Sequence, residues 1–106
     1  MDNNEYVIFL KSVLIKIENT LNFLKQKPPK HIPAYHKILG VQQKLAGLDK
    51  SYRDKLFPQL VKTRGIINYF TNGRYEEAYD QLFKLKTDLV HIHCEIENAN
   101  NTVNKT

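Results

Sequence analysis

A chain of 106 residues with 42% hydrophobic and 25% charged side chains has the make-up of one small globular domain and leaves no room for a second. No apolar run approaches the ~20 residues that span a bilayer, and the N-terminus shows no cationic stretch followed by an apolar core and a cleavage site, so neither a membrane protein nor a secreted one is expected. The single cysteine, Cys94, cannot form an intrachain disulfide, which makes the cytoplasm, or else the nucleus, the expected compartment.

The net charge of +5 is unevenly placed. Residues 1–74 carry 13 Lys/Arg against 5 Asp/Glu, a balance of +8, and residues 75–106 carry 3 against 6, a balance of −3. Such asymmetry steers an acidic partner toward one side. A solvated basic face with no specific ligand has the same composition.

Asp2 or Asn3 caps a first helix, with Glu5 three residues after Asp2 as in a capping box. Tyr6, Leu10, Val13, Leu14, Ile17, Leu21 and Leu24 recur at three- and four-residue steps and form its core stripe. Ile8, Phe9 and Ile15 fall off that stripe, so this helix is expected to touch neighbours on two sides or to add to a partner surface. Pro28-Pro29 ends it, because proline lacks an amide donor and disfavours helical geometry in the residue before it.

After a basic linker, Lys27 to Ile32, Pro33 suits the first turn of a second helix with Ala34, Ile38, Val41, Leu45 and Leu48 as its apolar row. Gly40 and Gly47 weaken that helix and are expected where another helix approaches closely. Two endings are compatible with the residues: a turn at Asp49-Lys50-Ser51 with Ser51 capping a new helix, or continuation to about Lys55. A third long helix opens at Pro58, carries Leu60, Val61, Ile66, Ile67 and Phe70 inward, and stops at Asn72-Gly73, whose residues tolerate the left-handed conformation. Tyr75, Ala78, Leu82, Leu85, Leu89, Ile92 and Ile96 continue the pattern as one long helix or as two meeting near a Thr87-Asp88 cap. The fold class expected is therefore all-α, an antiparallel, solenoid-like bundle of four to five helices over residues 1–98, with a polar disordered tail at 99–106.

Nothing reactive is gathered. His91 and His93 are two positions apart, about 200° around a helix, and cannot chelate one ion together. His31 and His36 read as a linker and a surface histidine, and Cys94 as a small apolar filler. Gly65 and Gly73 form no phosphate cradle, and Glu76, Glu77 and Asp80 sit where negative charge offsets a helix dipole. No catalytic, cofactor or metal site is expected, and the chain reads as a non-enzyme. Tyr35, Tyr52, Tyr69, Phe57 and Phe70 interleave with Lys37, Lys50, Arg53, Lys55, Lys62 and Arg64, as in some single-strand binders. Most of these rings fall on the apolar stripes, so nucleic-acid contact is not favoured.

Residues 44–85 carry Leu45-x-x-Leu48, Tyr52-Arg53, Leu56-Phe57-Pro58 opening a helix, apolar positions through Ile67 and Phe70, and Arg74-Tyr75-Glu76-Glu77-Ala78. In these features, with Val13-Leu14 and Ile17 to Leu21 upstream, the chain resembles the small helical domain shared by the C-terminus of the large COPII outer-coat subunit and the steroid receptor RNA activator protein. The resemblance implies a five-helix protein-binding module without a catalytic site. Its setting would be vesicle transport from the endoplasmic reticulum to the Golgi or, alternatively, RNA-associated transcriptional coregulation. Bacteriocin immunity proteins, small basic helical bundles, are a further alternative. A protein partner is expected, on a basic and aromatic surface around Tyr52, Arg53, Arg64 and Arg74.

Overall fold

The computed structural model describes the backbone of residues 1–104 and the side chains of residues 1–99. Among the described residues five helices follow one another: α1 (Asn3–Lys25), α2 (His31–Ala46), α3 (Lys50–Lys55), α4 (Phe57–Thr71) and α5 (Tyr75–Asn104). The four long ones are antiparallel, and each packs on two neighbours in the order α1, α2, α4, α5, with α5 returning to α1. The all-α bundle is therefore a closed ring of four helices, with α3 as a short piece beside α4.

Local chemistry accounts for each boundary. The Asp2 carboxylate accepts the Glu5 amide proton at 2.8 Å and so satisfies one of the free donors of the α1 N-terminus. Gln26, just before Lys27-Pro28-Pro29, is extended, and α1 stops there. The next helix starts at His31, so Pro33 is its third residue, where its missing amide proton still costs no helical bond. Between α2 and α4 the chain turns at Gly47 and starts a separate helix at Lys50, while Asp49 makes no side-chain cap. Ser51 thus lies inside α3 instead of capping it.

Tyr6, Leu10, Val13, Ile17 and Leu21 of α1, Ala34, Ile38, Val41 and Leu45 of α2, and Ala78, Leu82, Leu85 and Leu89 of α5 meet in one core, as their spacing predicts. Leu14, Leu24, Ile92 and Ile96 are half-buried at its margin. In α4 the inward set differs from the expected one. Leu60, Ile66 and Phe70 are buried and Ile67 partly so, but Val61 is 47% exposed. Gln59 and Thr63 lie inside instead. The Thr63 hydroxyl donates to the Leu60 carbonyl at 2.6 Å, which lets a polar side chain take a core position that apolar spacing alone does not find.

Asn72-Gly73 ends α4. Gly73 has φ +72, Arg74 donates its amide proton to the Tyr69 carbonyl at 2.8 Å, and Gly73 donates to Phe70 at 3.1 Å. This is the paired bonding of a left-handed helix stop. The helix that follows is unbroken: Thr87 does not cap a new one, and its hydroxyl donates to the Phe83 carbonyl one turn back at 3.0 Å. It runs to Asn104, so helical backbone continues past residue 98. Most of the expected tail, 99–106, lies outside the residues whose side chains are described.

Gly40 does not mark a close helix approach, since a Cβ built there meets nothing within 4 Å. Gly40→Ala is accordingly expected to raise stability by about 0.4–1 kcal/mol, through a better helix former and a less flexible unfolded chain. Gly73→Ala has equally open space but a left-handed backbone, and is expected to lower stability by about 1 kcal/mol. Paired urea titrations check the opposite signs.

Candidate functional site

The expected surface around Tyr52, Arg53, Arg64 and Arg74 is not one patch. Tyr52, in α3, is half-buried: its ring lies 4.7 Å from that of Tyr6 and its hydroxyl donates to the Met1 carbonyl at 2.7 Å. Burial, with Tyr52 alongside, pushes the Tyr6 phenol above its ordinary pKa. Arg53 is half-buried in the same short helix, and Arg64 is exposed midway along α4. Arg74 stands beyond the far end of α4, about 15 Å farther along the axis at 1.5 Å per residue. There it lies 5.2 Å from the Tyr69 ring and donates to Glu77 at 3.2 Å. The Glu77 carboxyl is held below its ordinary pKa, first by a hydrogen bond from its own backbone amide and then by Arg74. Arg74 is therefore a local clamp on the α4–α5 turn, and Tyr52 anchors the N-terminus. Arg53 and Arg64 remain as surface cations.

The rings once set against the cations are mostly occupied. Phe70 packs against Tyr35 and Tyr75, with centroids 6.0 and 5.9 Å apart, and Tyr75 is stacked by His31 at 3.6 Å. Beside that stack, a cleft of about 440 Å³ opens between Leu24, Pro29 and Tyr79. His91 and His93 do diverge: His91 is exposed and pairs with Glu95 at 2.9 Å, and His93 is half-buried next to Glu97 at 3.5 Å. Cys94 is exposed, which corrects its reading as an apolar filler. Among the described residues no three His, Cys, Asp or Glu side chains gather in a way that could hold a metal ion, and no helix is long and apolar enough to cross a membrane.

Two opposite faces of the ring expose large apolar side chains instead. Over α2 and α4 these are Ile32, Phe57 and Val61, at 73%, 51% and 47% exposure. Lys62 reaches α5 to pair with Asp88, and Arg64, about 200° farther round α4, points away from α5 and toward α2. Phe57 lies seven residues before it in the same row. Neither α2 nor α4 contains a carboxylate, and α3 adds Lys50, Arg53 and Lys55 against Asp54. Phe57 and Val61 thus stand at one end of this positively bordered face, and Ile32 at the other, beside Phe70 and Thr71.

Over α1 and α5 the exposed residues are Ile8, Ile15, Phe83 and Val90, at 66%, 61%, 52% and 40%. Ile8 and Ile15 had already fallen off the stripe of α1. The same test, applied to α5, finds Phe83 and Val90 off the row Tyr75, Ala78, Leu82, Leu85, Leu89. Comparison with family models, with curated proteins and with solved structures finds no match to this chain.

Proposed function

We propose that the protein is a non-catalytic helical protein-interaction module whose α2–α4 face receives an acidic, partly apolar segment of a partner protein. The observation that carries this reading is the exposure of Phe57 and Val61 beside Arg64 on α4, with Ile32 exposed farther along the same face near Phe70 and Thr71, on two adjacent helices that lack any carboxylate. Apolar anchors supply the affinity of such a contact, and the surrounding positive field favours encounter with an acidic partner over a basic one. The resemblance of residues 44–85 to the COPII outer-coat domain favours a scaffold in vesicle transport. The RNA-associated branch receives less support, because Tyr52, Phe70 and Tyr75 are engaged with other rings and are not free to stack bases.

The test compares proteins captured from native lysate by the tagged chain and by the variant Arg53→Glu, Val61→Asp, Arg64→Glu, with helical content checked by circular dichroism. Partners retained by the first and reduced at least tenfold by the second support the face. Equal recovery removes it. A shift of single-stranded RNA that weakens steeply with log salt, lost in the same variant, would replace a protein partner with nucleic acid.

A further inference from the structure

The α1–α5 face bears a charge pattern that its exposed apolar residues alone do not disclose. Among the described residues two ion pairs cross the groove between these helices: Lys11 with Glu97, at 3.6 Å, and Glu18 with Lys86. Their polarity is opposite, because α1 supplies the cation of the first and the anion of the second. They also fix the register. Near the middle between Lys11 and Glu18 lies Ile15, and between Lys86 and Glu97 on α5, four residues from the first and seven from the second, the exposed apolar residue is Val90. Outside this centre, Ile8 lies three residues before Lys11 at one end and Phe83 three residues before Lys86 at the other. Each of the four apolar side chains is thus three or four positions from an ion-pair member, on the same side of its helix. The order along the face is apolar, ion pair, apolar pair, reversed ion pair, apolar.

A two-fold axis lying in this face, across both helices at the level of Ile15 and Val90, turns the pattern onto its own complement. Lys11 comes over Glu18 of a second copy, and Glu97 over Lys86. Ile15 and Val90 meet their own counterparts at the axis, and Ile8 comes beside Phe83. Helix α1 then lies antiparallel to α1 and α5 to α5, the arrangement of an isologous dimer. The four charged side chains keep between 32% and 58% of their surface exposed, with Glu97 also 3.5 Å from His93 and Lys86 also over the Phe83 ring. We infer that the protein forms a two-fold symmetric dimer through its α1–α5 face, with a second copy of the chain as occupant. This inference is independent of the α2–α4 reading, since the two faces lie on opposite sides of the ring. The dimer leaves both α2–α4 faces outward, where a scaffold would present two copies of its binding surface.

The charge pattern supplies its own test. K11E with E97K inverts one ion pair, and E18K with K86E inverts the other. Each double variant keeps its pairs within the chain but sets like charges opposite one another across the axis. Sedimentation equilibrium is expected to show dimer for the wild type and at least tenfold weaker association for each double variant alone. An equimolar mixture of the two should recover association, because every cross-axis contact is again between opposite charges. Ile15→Glu should leave single chains with unchanged helical circular dichroism. Wild-type protein that stays at the mass of one chain into the hundred-micromolar range overturns the inference. So does a dimer that both double variants retain, or one the mixture fails to restore.

Discussion

Leu82→Ala is expected to lower the free energy of unfolding by about 3 kcal/mol, while Val61→Ala, on the neighbouring helix, shifts it by no more than ~0.5 kcal/mol. Leu82 is fully buried in the common core, on the helix that closes the ring by packing on both α1 and α4. Truncation there loses the transfer energy of three carbons and leaves a cavity that rigid neighbouring helices fill only in part. A domain of this size holds roughly 5–10 kcal/mol in all, so the loss is a large fraction of its stability. Val61 is nearly half exposed and leaves almost nothing behind when shortened. Urea titrations at one fixed protein concentration separate the two, since self-association would otherwise shift apparent stability by mass action. A Leu82→Ala midpoint matching that of Val61→Ala would mean that the ring is not closed as described.

The contrast also shows where apolar spacing is a sufficient guide and where it is not. In α1, α2 and α5 the buried rows are nearly all aliphatic or aromatic, so the three-four rhythm alone marks the inward face. In α4 two of the buried positions, Gln59 and Thr63, are polar, and a reading that counts only apolar residues rotates the face toward Val61. Thr63 resolves its own burial by bonding one turn back, a local solution that leaves no trace in the pattern. The expected binding surface failed for a different reason. Spacing states which side of a helix a residue occupies but not which residues of other helices stand at its level. Arg74 and Tyr52, though both polar-tipped and near helix ends, proved to be fixed by Glu77 and by Met1 at opposite ends of the bundle. The α1–α5 charge pattern was likewise unreadable until antiparallel pairing set Lys11 beside Glu97 and Glu18 beside Lys86.

Whether α5 is one helix or two was the question the residues left open, and a proline at position 88 decides it in solution. With Thr87 as a cap, residue 88 would be the first of a new helix, where proline is well tolerated because its missing amide proton has no helical partner. In the continuous helix the same substitution removes a bond to the carbonyl four residues back and forces the ring against it, at a cost of ~3 kcal/mol or more. Asp88 also pairs with Lys62, so Asp88→Ala serves as the comparison. Both partners of that pair are 37% exposed, and its loss is expected to cost no more than about 1 kcal/mol. Asp88→Pro should therefore lose most of its cooperative thermal transition while Asp88→Ala keeps it, and equal behaviour of the two would show a helix boundary at this position. Lys86 and Glu97 stand on either side of residue 88, and only an unbroken helix holds them in register with Glu18 and Lys11. The self-complementary face is thus expected to be lost in Asp88→Pro and kept in Asp88→Ala, which ties the continuity of α5 to the assembly it supports.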